Sequence, residues 1–402
     1  MPENIVIVGA GQAGLQTLVT LRAEGFAGPV TMVGEEPFAP YQRPPLSKAY
    51  LLGKMERPRL FLKSAAFYAE AGCRMILGTR AGAIDRAKKT VALSNGDTLS
   101  YDKLVIATGT RAKMPRVPGA DIPGVHTLRS IADVDRLQPE LKAGRRAVIV
   151  GGGYIGLEVA AVAAKHGLSV TVVEFLPRVL ARSVSPRVSE FFQTVHRENG
   201  VELLLGTGVE AFEGRGKLEA VRAGGKVIPA DFALVGIGAV PNIELAREAG
   251  LACENGIVTD EYARTSDPDI YAAGDCTWHK GRDGAWLRLE SVQNAIDQAK
   301  AAALSMAGKP RPYAEVPWFW SDQYDLKLQI AGLAREGDEE ILRGDPAAHK
   351  FAFFYLRDGV LAAAVTVNLP ADHLMARRLI AADTRIDAKK LADPEVKLKT
   401  LL

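Results

Sequence analysis

The chain has 402 residues, a net charge of only +3, and 48% hydrophobic against 24% charged residues. That is the composition of a soluble globular protein long enough for two or three domains. The near-neutral balance gives no reason to expect a nucleic-acid partner, and no apolar run reaches the roughly 20 residues of a membrane-spanning helix.

"MPENIVIVGAG" runs straight into a strand without a basic segment and long apolar stretch, so no signal peptide is expected and the cytoplasm is the default. The apolar run Ile5 to Val8 has the pattern of a parallel strand, and Gly9, Gly11 and Gly14 follow in the spacing GxGxxG. Leu15, Leu18, Val19 and Leu21 then recur on one side of a helix. Gly9 permits the tight turn, Gly11 lets backbone approach a pyrophosphate, and Gly14 lets helix and strand pack closely. The helix start offers unpaired N–H groups to phosphates. An acid about 20 residues on should take the ribose hydroxyls. Glu35 fits, with Glu36 beside it as the weaker choice.

"PYQRPPLSK" (40–48) comes next. Its three prolines and two bases cannot continue a helix or a central strand, so it reads as a stiff, positively charged elbow ending at Lys48. Cys73, Cys253 and Cys276 lie far apart and form no CxxC. A close-spaced redox disulfide and a paired-cysteine zinc site are therefore both absent from the expectation, as is any metal, and inert thiols are expected. "YDKLVIATGT" (101–110) reads as a strand ending in small residues.

A second unit, "RAVIVGGGYIGLEVAAVAAKHGLSVTVVE", repeats the device with strand Ala147 to Val150, Gly151, Gly153 and Gly156, a helix, and a strand ending at Glu174. Two such units imply two dinucleotides. One redox cofactor that stays and one nicotinamide that comes and goes is what a flavoprotein needs, which suggests FAD with NAD(P)H. A carboxylate at Glu174 would bond a free 2′-hydroxyl and repel a 2′-phosphate, favouring NADH. Arg178, four residues on, is the alternative that could receive a phosphate. "ADFALVGIGAVPN" (230–242) reads as the last strand of the second sheet. In "TSDPDIYAAGDC" Asp275 follows a short strand, where it could hold the ribityl hydroxyls of a flavin. "VQNAIDQAKAAALSMA" is a helix starting at Val292, and the C-terminal stretch reads as strands and a helix. In it, Leu326, Leu328 and Ile330 alternate, and Asp358-Gly359 marks a hairpin turn.

The motifs "GAGQAG", "RPPLSKAYL", "LVIATG", "GGGYIGLEVAA", "GIGAVPN", "TSDPDIYAAGDC", "RLESVQNA" and "PWFWSDQYDLKLQ" together cover nearly the whole chain. With them it resembles flavoproteins built like glutathione reductase. Within these it resembles the NADH-dependent ferredoxin reductases of the putidaredoxin reductase type, which serve bacterial oxygenases and cytochrome monooxygenases. The resemblance implies an α/β fold of two Rossmann-like dinucleotide-binding domains and a smaller C-terminal α+β domain. Residues 1–111 and 245–318 would bind FAD, 112–244 would bind NADH, and 319–402 would form the third domain.

It also implies roles for individual residues. Lys48 would lie beside the flavin ring and Glu158 would face the nicotinamide, the two forming an ion pair. FAD would be held by Gly9, Gly11, Ala13, Gly14, Glu35, Lys48, the backbone at Ala81, Arg129, Asp275, Val292 and Trp320. The helix start at Val292 would stabilise negative charge gathering on the reduced flavin. NAD would be held by Gly151, Gly153, Ile155, Gly156 and Glu174. Because "EEPFAPYQRPPLSKAYL" contains no cysteine, disulfide reduction and cysteine-dependent peroxide reduction fit poorly. Transfer of single electrons to a [2Fe-2S] ferredoxin remains, with docking on a basic face drawn from Lys309, Arg311, Lys327, Arg377 and Arg378. The competing readings are an NADH diaphorase or oxidase and a signalling flavoprotein of the apoptosis-inducing kind. The protein would be a monomer or a homodimer.

Overall fold

The structure is a computed structural model that describes residues 3–402. The chain divides into two compact units. One takes the described residues through Gln42, with Pro58–Arg111 and Pro241–Phe319; the other takes Arg43–Arg57, Ala112–Val240 and Trp320–Leu402.

The first unit is built on a five-stranded parallel sheet in the order Ile270–Ala272, Lys103–Ile106, Ile5–Val8, Val30–Val33, Cys73–Ile76. All four residues of Ile5–Val8 are buried, which is why the strand reads as an unbroken apolar run rather than an alternation. Its two faces go to different partners. Ile5 and Ile7 pack with Leu15, Leu18 and Leu21 of helix Gln12–Ala23 and with Ala302, Ala303 and Met306 of helix Val292–Met306. Val6 and Val8 pack with Ile84, Val91 and Leu93 from the small antiparallel sheet Ala81–Asp85, Thr90–Leu93, Thr98–Ser100. Val19, expected on the core-facing side of its helix, is only half-buried and packs at the margin of that core.

The second unit repeats the plan. Its parallel sheet runs Val201–Leu204, Ser169–Val173, Arg146–Val150, Phe232–Val235, Val125–His126. The C-terminal part forms a five-stranded antiparallel sheet in the order Trp318–Gln323, Leu326–Gly332, Val360–Val367, Lys350–Arg357, Glu339–Asp345. The turn at Asp358-Gly359 has φ of +51° and +77°, the left-handed pair that a two-residue hairpin requires. Leu326, Leu328, Phe351, Phe353 and Val365 of this sheet share one core with Val188, Phe192 and Val195 of helix Pro186–Glu198. In this second unit, therefore, the antiparallel sheet is seated on the nucleotide-type fold through one of that fold's own helices.

The elbow takes a definite form. Pro44–Ser47 is a single turn of 3-10 helix with proline at its first positions, where a missing N–H costs nothing. The amide of Lys48 donates to Pro45 O at 3.0 Å, as does that of Tyr50. Gln138 Nε2 donates to the carbonyls of Tyr50 and Leu51 at 3.4 and 3.3 Å, and Arg57 pairs with Asp135 at 2.8 Å. These contacts anchor the stretch that follows the elbow within the second unit.

Candidate active site

In the first unit, Gly9 sits at φ +124°, and a Cβ there would lie 2.1 Å from Ala107 O; one at Gly14 would lie 2.0 Å from Gly9 O. Both positions exclude any other residue sterically. A Cβ at Gly11 would meet nothing within 4 Å, so this glycine faces open space at the head of the helix. Gly11 is also the N-cap of Gln12–Ala23 and gives it no side-chain cap. Elsewhere helices Ala65–Glu70, Ile131–Leu137 and Val292–Met306 are capped by the hydroxyls of Ser64, Ser130 and Ser291. An uncapped glycine start leaves backbone donors for an anion. These features fit a bound dinucleotide.

Around that turn, Ala13 is buried, and a Cβ at Gly274 would come into ordinary contact with Ala13 and Ala295, at 3.4 and 3.6 Å. Glu35 stands exposed just after strand Val30–Val33 and makes no hydrogen bond to a described residue, whereas Glu36 accepts from Tyr41 OH at 2.5 Å. The amides of Gly78 and Thr79 donate to Glu36 O and Gly34 O at 3.1 and 2.9 Å. The chain leading to Ala81 therefore runs beside the acid-bearing loop. Asp275 accepts from Thr110 Oγ1 at 3.2 Å. Ser291 Oγ takes the amide of Asn294 at 3.1 Å, leaving the first-turn amides of Val292 and Gln293 without intrahelical partners.

The second unit shows the same backbone logic. Gly151 has φ +109° and its Cβ would lie 2.4 Å from Gly236 O; that of Gly156 would lie 2.1 Å from Gly151 O. Gly153 is an uncapped N-cap of helix Tyr154–Lys165. Ile155, at the motif position of Ala13, is 42% exposed. Glu174 accepts from the amides of Gly152 at 2.6 Å and Leu176 at 2.7 Å. Arg178 points elsewhere: Nη1 donates to Val184 O and Ser189 Oγ at 2.8 and 2.6 Å, and Nη2 to Ala181 O at 2.9 Å. A guanidinium so committed is a poor receiver for a 2′-phosphate.

Within this unit Lys48 Nζ lies 2.7 Å from Glu158 Oε2, the expected pair, with Glu158 only 4% exposed. Two hydroxyls that sequence reasoning missed join it. Ser47 Oγ donates to Glu158 Oε2, and Ser321 Oγ donates to Oε1 at 2.6 Å. Lys48 Nζ also reaches Pro44 O at 3.3 Å, so the proline turn holds the ammonium as well as the backbone. Arg43 Nη1 donates to the carbonyl of Arg129 at 2.6 Å, which ties the elbow to the residue preceding Ser130, the N-cap of helix Ile131–Leu137. On strand Trp318–Gln323, Ser321 and Gln323 are fully buried and Trp320 is half-buried on the opposite face. The structure thus brings Lys48 and Glu158 together within one unit. It sets Gly9, Gly11, Ala13, Gly14, Glu35 and Asp275 around the carboxyl ends of the first unit's strands.

The thiols take no part in this. Cys73 and Cys276 are buried, Cys253 is half-buried, and all three are free. Burial pushes each thiol upward, Cys73 to about 11. Among the described residues no helix is long and apolar enough to cross a membrane, and no cluster of three His, Cys, Asp or Glu could hold a metal ion.

Known proteins resemble this chain in sequence and fold. Residues 3–299 match the model of the pyridine nucleotide-disulphide oxidoreductase family, and residues 318–402 match a reductase C-terminal domain. The chain is 44% identical to rhodocoxin reductase of Rhodococcus erythropolis over 98% of its length and 93% of that protein. It is 41% identical to putidaredoxin reductase of Pseudomonas putida over 100% and 97%. A solved covalent complex of putidaredoxin reductase with putidaredoxin superposes with a TM-score of 0.96 at 40% identity, covering 99% of this chain and 98% of that one. With matches over almost its whole length, the chain belongs to the pyridine nucleotide-disulphide oxidoreductase family, in the branch that carries a reductase C-terminal domain.

Proposed function

We propose that this protein is an FAD-dependent NADH:ferredoxin oxidoreductase that passes electrons singly to a [2Fe-2S] ferredoxin supplying a bacterial oxygenase or cytochrome monooxygenase, in the cytoplasm. The observation that carries the reading is the pair of uncapped glycine-rich helix starts, one per unit, each followed by an acid at the end of the next strand. Bound FAD would supply the chemistry, accepting a hydride's two electrons and releasing them one at a time.

The chain's own residues bind, orient and charge-balance. The Gly11 helix start would take the pyrophosphate of FAD and Glu35 its ribose, with Ala13 and the Ala81 backbone alongside. Asp275, Arg129 and Trp320 would complete its hold, and the free amides at Val292 would favour negative charge on the ring. Gly151, Gly153, Ile155 and Gly156 would receive NADH, with Glu174 selecting against a 2′-phosphate. Lys48 and Glu158 would flank the reacting rings and fix the nicotinamide's approach. With three separated cysteines and no pair among them, electrons leave to an external carrier rather than to a disulfide.

Of the basic candidates for docking that carrier, Arg311, Lys327 and Arg378 are exposed, whereas Lys309 is paired with Glu24 at 2.9 Å and Arg377 is half-buried. The first three are the better anchors for an acidic partner in a weak, steered encounter. Aerobic NADH consumption with and without an added [2Fe-2S] ferredoxin tests the reading. Turnover should require the carrier; equal consumption without it would make the protein an oxidase or diaphorase.

A further inference from the structure

The Lys48–Glu158 pair is the inner end of a longer buried chain. Ser321 Oγ donates to Glu158 Oε1 at 2.6 Å, and Gln323 Nε2 donates to Ser321 Oγ at 3.2 Å. Gln323 Oε1 meets His196 Nε2 at 2.9 Å, and the other ring nitrogen, Nδ1, meets Tyr324 OH at 3.2 Å. Glu158, His196, Ser321 and Gln323 are all at most 4% exposed.

One assignment of protons satisfies every link. The tyrosine hydroxyl donates to Nδ1, Nε2–H donates to the glutamine carbonyl, its NH2 donates to the serine, and the serine donates to the carboxylate. All four bonds then point toward Glu158, which also accepts from Ser47 and Lys48 on its other oxygen. Burial holds His196 neutral, at about 4, so its Nδ1 is available as an acceptor. The outer end lies at the hairpin turn between strands Trp318–Gln323 and Leu326–Gly332, where Tyr324 takes a left-handed φ of +57° of the kind such a turn uses. The ammonium of Lys165 lies 5.7 Å from the tyrosine ring centroid.

We infer that Ser321, backed by Gln323, His196 and Tyr324, is a positioning residue that aims the Glu158 carboxylate, so that the C-terminal sheet sets the geometry of the Lys48–Glu158 pair. An amide link carries no proton onward, so the chain orients and does not relay. Without Ser321, the buried Oε1 loses its donor and the carboxylate is free to rotate about a single hydroxyl and ammonium. The inference rests on the role proposed for Lys48 and Glu158, and its test separates the two.

The test is a double-mutant cycle in the holoprotein with Ser321→Ala and Glu158→Gln, read in two ways. The first is the limiting rate and half-saturation of flavin bleaching by NADH under anaerobic conditions; the second is thermal unfolding. Ser321→Ala should lower the limiting rate about five- to tenfold with half-saturation changed less than about twofold. Ser321→Thr, which keeps the hydroxyl, should recover most of the loss. In the Glu158→Gln background Ser321→Ala should cost little more, and the two unfolding shifts should be non-additive. Gln323→Met leaves Ser321 in place and should give the same signature at smaller size, which keeps the test alive if Ser321→Ala does not fold. Additive effects, or no recovery by threonine, would overturn the inference while the pair's role stands. Unchanged bleaching in Glu158→Gln would overturn the role of the pair, and this inference with it.

Discussion

Glu174 directly follows the second strand of its sheet, where the first unit has Gly34, and Glu35 stands one residue further along; the loops around the two acids treat them differently. Glu35 is exposed and makes no bond to a described residue, while Glu174 is fixed by the amides of Gly152 and Leu176. The glycines show no such difference: Gly9 and Gly151, and likewise Gly14 and Gly156, meet backbone carbonyls at nearly the same distances. The contrast matches the two occupants proposed. A resident cofactor orders its own ligand once and stays. A co-substrate binds and leaves on every turnover, and a carboxylate already oriented by its own loop loses less freedom each time. The motif position just before the third glycine tells the same story, with Ala13 buried beside Gly274 and Ile155 open to solvent.

The largest effects should come from the glycines that permit no side chain. Gly9→Ala places a methyl against a carbonyl in a left-handed backbone state, so the purified protein should be colourless. Gly151→Ala meets the same obstacle in the other unit. It should stay yellow while its half-saturation for bleaching by NADH rises at least about tenfold. Absorbance spectra decide this, and a colourless Gly151→Ala protein would erase the division of labour between the units.

Next in size is the selector. Glu174→Ala should weaken NADH about tenfold and NADPH less than about twofold. Equal losses for both nucleotides would reduce Glu174 to a loop brace.

A separate effect concerns stability. Burial holds His196, His279 and His373 at about 4, well below their ordinary value. The fold therefore favours the neutral rings. Their contribution is whole above the unfolded value near 6.5 and is lost as pH falls toward 4, on the order of 3 kcal/mol for each ring. Melting temperature should drop between pH 7 and pH 5, and His196→Gln should flatten the share of that slope that His196 carries, leaving that of His373 in the same unit. A slope unchanged in that variant would count against the burial account.

The glycine turns, their strands, the helix at Val292 and the Asp358-Gly359 hairpin were legible because each is encoded in contiguous residues. Apolar runs, glycine spacing and turn pairs act locally. The pair Lys48–Glu158 was legible only through resemblance, since its members come from separate segments of the chain. Ser47 and Ser321 were not legible at all. A serine that binds a buried carboxylate looks like any other in sequence, and the burial that gives these two their meaning depends on how a proline turn and a C-terminal strand meet one helix. Nothing in the run Ser321, Asp322 and Gln323, which follows three aromatic residues on that strand, singles out the serine. The fate of Arg178 was hidden for the same reason: its partners Ala181, Val184 and Ser189 are near in sequence, but only the fold of the loop turns its guanidinium toward them.

The most direct test of the account is an anaerobic titration of the purified protein with NADH and, separately, NADPH, following flavin absorbance. The account predicts yellow protein, rapid bleaching at low NADH, far slower bleaching by NADPH, and return of colour when an oxidised [2Fe-2S] ferredoxin is added. Colourless protein would contradict the assignment of the first unit to FAD, and equal response to both nucleotides would contradict Glu174 as the selector.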